Sequence, residues 1–319
     1  YYCHGWIVNA KDTLMDFSEL SHQTEIRDSL DKILSEHCSQ ELLKKYDSDF
    51  KHDESLLSLL SSNGFLGLGL KEKYGGSGED LYDLGILFER LGYHAAPLSL
   101  SGCLADVAQT IQKFSKEESC KKILGSIIAG EIYTSAILEP ANQDPESPIT
   151  TAEIENNHVV ITGTKYLSEI ASIANRILIS ASSNEGVLLI LVDKDQVKLT
   201  ELNSTANSPL FKVELDSVRV SVESVIHEKG RGLEALKYLI QLNMVMRSYI
   251  ALGVTEKMTS LIAKYTSERE QFGRVIGTFQ AVSHRAADCF IELECLRLVN
   301  QQASINLNTN LDCENEALV

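Results

Sequence analysis

The chain has 319 residues, 44% of them hydrophobic and 23% charged, which is typical of a folded globular protein with enough residues for a large core. Its formal net charge of −16 at pH 7 argues against a nucleic-acid backbone or an anionic membrane surface as a partner. No apolar run approaches the roughly 20 residues that a membrane-spanning helix needs. An anionic nucleotide ligand stays compatible with this charge, because one local basic group is enough to bind it.

The cysteines and histidines form no metal-binding or redox pattern. Seven cysteines are scattered without C-x-x-C spacing, and the eight histidines include no H-E-x-x-H pair. The thiols are therefore predicted to be reduced and mostly buried, which is typical of a reducing compartment. We expect a cytoplasmic protein or, alternatively, one of the mitochondrial matrix, without a bound metal.

Residues 1–131 are predicted to form an N-terminal helical domain. Apolar residues recur on one stripe over residues ~22–46, which predicts a single amphipathic helix there. Shorter patterns of the same period predict further helices over Glu54–Ser62, ~80–94 and ~99–114, and a last helix that ends near Gly130. No strand pattern interrupts this region.

From residue 132 to residue 228 the hydrophobic period changes to that of a β domain. Seven short segments rich in β-branched residues are separated by Asn, Gly, Pro and Ser. Because no helical pattern lies between them, they predict an antiparallel sandwich or barrel. The segments are Tyr133–Leu138, Ile149–Glu155, His158–Thr162, Arg176–Ser180, Val187–Asp193, Val197–Leu202 and Phe211–Val220.

Residues 229–319 are predicted to form a C-terminal helical bundle domain. Residues 231–268 contain no proline and are apolar on most faces, which predicts a long helix buried by several neighbours. A second helix follows, with apolar residues from Phe279 to Leu296 at spacings typical of a packing seam. The whole chain is therefore predicted to be a multidomain α+β protein.

A charged elbow, Glu268–Gln280, joins the two C-terminal helices. Arg269 offers a planar fork of donors suited to phosphate, Gln271 adds an amide, and Phe272 adds an aromatic edge. An alternative is that Arg269 forms a surface ion pair with a neighbouring glutamate while Phe272 closes the end of the bundle. The residue types alone leave both interpretations open.

The segment Tyr265–Gly273, with Ile276 and Phe279-Gln280-Ala281 after it, resembles the signature of the acyl-CoA dehydrogenase family. The helical, β, helical order also resembles that family over residues 55–305. The resemblance implies FAD-dependent α,β-dehydrogenation of acyl-CoA thioesters, as in fatty acid β-oxidation, by a homo- or hetero-oligomer, typically a dimer of dimers. It also implies that Arg269, Gln271, Phe272 and Gln280 reach across a subunit interface to the pyrophosphate and adenosine of a neighbour's FAD.

A second resemblance concerns Gly163–Ser168, which is similar to the family's GxKxWIT turn. In that turn an aromatic residue and a hydroxyl lie along the flavin. The resemblance implies these roles for Tyr166 and Ser168. Without it, the two would be an ordinary tyrosine and serine at a strand end.

The chain departs from the family at the loop that faces the flavin. The family sequence Thr-Glu-Pro-Gly-x-Gly-Ser-Asp is replaced by LEPANQDP at residues 138–145. Leu138 stands in place of a hydroxyl, and both glycines that allow close backbone approach are lost. A flavin edge left unpaired there would cost about 1–3 kcal/mol, so we expect weak binding of FAD in the chain's own site.

The catalytic residue is not identified by the sequence, because the chain also departs from the family at the base. The reaction needs a carboxylate that faces the flavin. Counting back from Arg269 along the long helix places one family base position at Asn243, which is not an acid. The other family position would follow Val319.

Three functional hypotheses stay open. In the first, the chain is the short, degenerate subunit of a heteromeric acyl-CoA dehydrogenase and completes the FAD site of a catalytic partner. In the second, it is a truncated homo-oligomeric enzyme whose base lies downstream. In the third, it is a non-catalytic scaffold that binds acyl-CoA or a protein. The changed loop favours the first, since truncation does not alter residues 138–145.

Overall fold

The computed structural model describes residues 18–48, 53–78, 80–205 and 208–309. Residues 1–17 and 310–319, at the outer ends of the predicted N- and C-terminal domains, lie outside the described residues. The helices are α1 (Ser21–His37), α2 (Gln40–Ser48), α3 (Glu54–Ser62), α4 (Leu81–Tyr93), α5 (Thr110–Phe114), α6 (Glu117–Ile128), α7 (Gly232–Glu268) and α8 (Gln280–Asn308). The strands are β1 (Tyr133–Ala136), β2 (Thr151–Glu155), β3 (His158–Glu169), β4 (Arg176–Ser183), β5 (Gly186–Asp193), β6 (Lys198–Leu202), β7 (Leu210–Ser221), β8 (Glu270–Gln271) and β9 (Arg274–Val275).

The predicted order of helices, sheet and helices is confirmed, with two corrections in the N-terminal part. The single helix predicted over residues 22–46 is two helices, because the backbone leaves helical geometry at Cys38. The hydroxyl of Ser39 then accepts a hydrogen bond from the Leu42 amide (3.4 Å), as a serine does at a new helix start. The predicted helix at 99–114 begins as a π-helix, Ser101–Gln109, a form often found at functional sites.

All seven predicted strands of the middle region are present, but their sheet is mixed rather than wholly antiparallel. Its strand order is β1-β4-β2-β3-β7-β6, with β5 paired to β4. β1 runs parallel to β4, and β2 meets β4 in parallel at one residue pair. The β2–β3 hairpin lies between β1 and β4 in the chain and provides the long connection that parallel neighbours require.

The helices α4 and α7 form the closest contact of the helical part. An added Cβ at Gly253 of α7 would lie 1.8 Å from the Glu89 carbonyl of α4, so only glycine permits this approach. The Glu89 carboxylate is buried beside it and accepts from Arg27 (2.9 Å) and Arg297 (2.7 Å). Burial raises the pKa of Glu89, but these guanidinium groups outweigh that effect and lower it below its ordinary value.

The far half of α7 and the near half of α8 leave apolar side chains exposed. The buried residues of α7 all lie between Gly232 and Gly253, although Leu233 is exposed, and the helix beyond Gly253 is partly or fully exposed. The burial predicted for this long helix is therefore found in its first part only. The seam predicted on α8 is buried at Leu293 but exposed at Cys289. We call the exposed apolar set the elbow surface; it comprises Met258, Leu261, Ile262, Tyr265, Phe272, Phe290, Ile291 and Leu298. Of the helices described, none combines the length and apolarity needed to cross a membrane.

Candidate functional site

The elbow is a two-residue β-hairpin between α7 and α8. β8 and β9 pair antiparallel, and the loop residues Phe272 and Gly273 have φ angles of 55° and 77°. Both values belong to the left-handed region that a tight hairpin turn requires. Phenylalanine rarely adopts this conformation, and the Phe272 side chain is also 92% exposed. An exposed aromatic residue in a strained turn marks the tip as a functional candidate.

Arg269 stands at the base of this hairpin with its side chain open to solvent. Its backbone is fixed, because its amide donates to the Tyr265 carbonyl (2.9 Å) and its carbonyl accepts from the Ile276 amide (2.8 Å). Its guanidinium forms neither an ion pair nor a hydrogen bond with any residue that the structure describes. The alternative interpretation, a pair with Glu268 or Glu270, is therefore not what the structure shows.

The other predicted elbow residues are exposed on the same corner. Gln271 donates its amide N–H to the Glu270 carbonyl (2.8 Å), and its side-chain carbonyl oxygen stays available as an acceptor. Gln280 is exposed at the first residue of α8. The Phe272 and Phe279 rings lie edge to face, and the guanidinium of Arg274 lies over the Phe279 ring. The hairpin thus presents a cation, amides and an aromatic ring on one exposed corner.

A second candidate site is a cleft of about 360 Å³ between the π-helix, β1, the end of β3 and α7. Leu138, Tyr166, Leu167, Glu169 and Asn243 are among its lining residues. Its volume is at the lower end of the range for small-molecule sites. Of the two residues that the resemblance places along a flavin, Tyr166 lies here, together with Leu138 of the changed loop and Asn243 of the family base position.

Four polar side chains form a continuous chain across this cleft. The Asn243 amide donates to Asp106 (2.7 Å), and its oxygen accepts from Arg247 Nε (2.8 Å). Arg247 also donates to Glu169 (2.7 Å), while Ser135 donates to the second oxygen of Asp106. Asn243, at a family base position, is thus fully engaged and carries no group that accepts a proton.

Asp106 is a carboxyl group beside the base position that the sequence did not reveal. It is 2% exposed, and burial raises its pKa to about 6 although Ser135 and Asn243 donate to it. Burial alone would lower the pKa of Arg247, but Glu169 outweighs this effect and raises it. Both oxygens of Asp106 already accept hydrogen bonds, so the group is committed to this network.

The structure corrects the prediction for Ser168. Its hydroxyl is buried and donates to the Ser135 carbonyl (2.9 Å), so it does not line the cleft. A bulge after Lys165, with Leu167 at φ 59°, instead turns Tyr166, Leu167 and Glu169 towards the cleft. The sequence already indicated this arrangement. When the family turn GxKxWIT is aligned from Lys165 without a gap, its aromatic residue corresponds to Leu167 and its hydroxyl residue corresponds to Glu169.

The loop that carries Leu138 is held by a buried ion pair. Lys165 Nζ lies 2.7 Å from Glu139 Oε1, and Glu139 also accepts from the Ile149 and Thr150 amides (2.6 and 2.7 Å). Burial raises the pKa of Glu139, but hydrogen bonds from Ile149, Lys165 and Thr150 outweigh it and hold that pKa at about 2. Leu138 is consequently fixed at the rim of the cleft with 41% of its surface exposed.

Models of two known protein domains match most of this chain. The model of the N-terminal domain of acyl-CoA dehydrogenases matches residues 21–131, and the model of their C-terminal domain matches residues 230–319. Together they match more than half of the chain, 111 and 90 residues of 319. The chain therefore belongs to the acyl-CoA dehydrogenase family, and the predicted family and fold class are confirmed.

Individual relatives agree with this assignment. Acyl-CoA dehydrogenase FadE27 of Mycobacterium tuberculosis is 26% identical over 91% of this chain and 77% of the relative. The 3-(aryl)acrylate reductase of Clostridium sporogenes is 23% identical over 92% of this chain and 82% of the relative. The predicted class, an FAD-dependent oxidoreductase acting on CH–CH bonds, and the predicted cofactor, FAD, are confirmed for the family.

Solved structures of the same fold include both FAD-bound and two-component proteins. A variant of the Tcur3481–Tcur3483 steroid ACAD has a TM-score of 0.85 at 29% identity, over 93% of this chain and 81% of that one. The ChsE4–ChsE5 complex from Mycobacterium tuberculosis has a TM-score of 0.87 at 24% identity, over 95% and 82%. PigA with FAD and proline has a TM-score of 0.87 at 23% identity, over 95% and 83%.

The two candidate sites differ in how well they suit FAD. The elbow offers the exposed Arg269 guanidinium, which fits a diphosphate. The cleft offers the apolar Leu138 and the carboxylates of Asp106 and Glu169, which only accept hydrogen bonds when ionised. The Arg247 guanidinium also lines it and is hydrogen-bonded to Asn243 and Glu169. The elbow residues therefore fit part of an FAD molecule, and the cleft residues do not fit its ring.

Proposed function

We propose that this chain takes part in the flavin-dependent α,β-dehydrogenation of an acyl-CoA thioester as the subunit that completes the FAD site of a catalytic partner. The observation that carries this proposal is the Arg269 guanidinium, exposed beside a strained hairpin tip and unpaired among the described residues. A guanidinium that serves only as a surface charge needs no such placement.

The contacts of the elbow support a role across a subunit interface. Arg269 can bind two oxygens of a diphosphate with parallel N–H bonds, while Phe272 offers a ring face to an adenosine or ribose. The elbow surface flanks this corner with large apolar side chains, each at least 45% exposed. Several large apolar side chains exposed on two connected helices are typical of a surface that a partner protein covers, so the proposal places a partner subunit there.

Around the cleft, no residue that the structure describes offers a free base. FAD, when bound, supplies the acceptor for the β-hydrogen, and a carboxylate must take the α-proton of the thioester. Asn243 has no basic group, and Asp106 is buried with both oxygens in use. The Glu169 carboxylate lines the cleft, but its two oxygens accept hydrogen bonds from Arg247 and Ser99. The proposal therefore assigns proton abstraction to the partner and cofactor retention to this chain.

Two alternatives remain from the sequence. A homo-oligomeric enzyme with a base outside the sequence shown would carry FAD in every copy. A non-catalytic acyl-CoA-binding or scaffold protein would not use the elbow for a cofactor. A dimer of dimers and a cytoplasmic or mitochondrial-matrix location stay predictions of the resemblance and the thiol pattern.

The test compares Arg269→Ala with Arg219→Ala in the complex purified with its partner subunit. Arg219 is also exposed, but it lies on β7 and is paired with Glu155 (2.9 Å). We expect Arg269→Ala to weaken FAD binding at least tenfold, or about 1.4 kcal/mol, in a titration of the apo-complex. Arg219→Ala should bind FAD as the unsubstituted complex does. Equal affinity in both variants and the unsubstituted complex would overturn the proposal.

A further inference from the structure

The cleft between the β sheet and α7 is crossed by four side chains that belong to three separate elements. Asp106 comes from the π-helix, Glu169 from the end of β3, and Asn243 and Arg247 from successive turns of α7. Their hydrogen bonds run in series, at 2.7 Å from Asn243 to Asp106, 2.8 Å from Arg247 to Asn243 and 2.7 Å from Arg247 to Glu169. We call these four residues the latch.

Both ends of the latch are anchored in the body of the protein. Ser135 of β1 donates to Asp106, and the Ser99 hydroxyl donates to Glu169. Asp106 is almost wholly buried, and the Glu169 side chain is only 16% exposed. The latch therefore cannot swing aside without breaking charge-assisted hydrogen bonds at a buried carboxylate.

We propose that the latch closes this chain's own cleft to an isoalloxazine ring, so that the cleft is a flavin-excluding site in a flavoprotein fold. This inference rests on the cleft alone and is independent of the elbow. The latch residues would exclude a flavin ring from this chain, whereas Arg269 is proposed to bind the FAD of a partner subunit.

The chemistry of the ring explains the exclusion. The polar edge of an oxidised isoalloxazine consists mainly of carbonyl oxygens and ring nitrogens that accept hydrogen bonds. Glu169 faces the cleft with an acceptor as well, and Arg247 commits its Nε and one Nη2 donor to Asn243 and Glu169. Leu138 contributes an apolar side chain at the rim, where a polar ring edge would lose its hydrogen bonds to water.

The test opens the cleft and uses riboflavin as the probe, because riboflavin carries the ring without a diphosphate. In the double variant Leu138→Thr and Glu169→Thr, hydroxyl donors replace the leucine and the carboxylate, and Arg247 is released. We expect the double variant of the full chain to bind riboflavin at least tenfold more tightly than the unsubstituted chain in a fluorescence titration. The matched control Glu201→Thr, at an exposed position of β6, should bind as the unsubstituted chain does.

Two outcomes would overturn the inference. One is that the unsubstituted chain already binds riboflavin as tightly as the double variant, and the other is that a folded double variant gains no affinity. The single variant Glu169→Gln preserves the shape of the side chain and adds an amide donor, so it should show part of the gain even where the double variant melts early. Arg269→Ala should leave riboflavin binding unchanged, which separates this result from failure of the elbow proposal.

Discussion

The buried pair of Lys165 and Glu139 makes a quantitative prediction about the loop at the cleft. Lys165 is 0% exposed, and its ammonium lies 2.7 Å from Glu139 and 3.0 Å from the Ser180 hydroxyl. Lys165→Met preserves most of the volume but leaves the Glu139 carboxylate buried without its cation. Loss of one partner of a buried pair costs about 3–5 kcal/mol. Because three N–H donors still bind Glu139, we expect a loss near the lower limit, about 3 kcal/mol.

The assay is equilibrium unfolding in urea, with Lys198→Met as the matched control. Lys198 lies 3.2 Å from Glu214 on the same sheet, but its side chain is 76% exposed, so its loss should cost about 0–1 kcal/mol. The low pKa of Glu139 contributes stability above pH 4.5 that is lost as the pH falls towards 2. In Lys165→Met this pKa rises, so acid unfolding should begin at a higher pH. If Lys165→Met is as stable as Lys198→Met and begins to unfold in acid at the same pH as the unsubstituted chain, the reasoning is refuted.

Three further predictions concern the buried groups. Asp106 has a folded pKa of about 6 against an ordinary 3.8, so the stability that it contributes is present below about pH 4 and lost as the pH rises through 6. Asp106→Asn should abolish this pH-dependent loss of about 3 kcal/mol, measured as unfolding free energy against pH. Glu89→Gln leaves two guanidinium groups without their buried carboxylate and should cost about 3–5 kcal/mol in the same assay, whereas an unchanged midpoint would contradict the ion-pair network. Gly253→Ala should cost about 3 kcal/mol in thermal unfolding, because the added Cβ forces α4 away from α7. The control Gly125→Ala should be neutral or stabilising, because an added Cβ there meets nothing within 4 Å. Equal effects of the two substitutions would refute the close contact.

Local sequence signals predicted most of the fold because they depend on neighbouring residues. Hydrophobic period located all seven strands of the middle region and the long α7 helix. The break at Cys38 was missed because the apolar stripe continues through it, while the backbone leaves helical geometry at Cys38 and the Ser39 hydroxyl caps the next helix. The parallel pairing of β1 with β4 depends on contacts distant in the chain, which no local pattern encodes.

The elbow and the cleft also differ in how far the sequence predicts them. The elbow residues are adjacent in the chain, so a motif predicts them together, and the structure brings them to one exposed corner. The latch joins Asp106 to Asn243 across 137 positions, and nothing near Asp106 in the sequence indicates a cleft. Glu169 was within reach of an ungapped count from Lys165, whereas its pairing with Arg247 required the fold.

The most direct test of the central claim is the number of FAD molecules per pair of chains in the assembly purified with its partner. If Arg269 completes a cofactor site seated in the partner and this chain's own cleft is closed, the assembly should contain one FAD per pair, and this chain purified alone should contain none. Two FAD molecules per pair, or one per copy of the chain alone, would contradict the account.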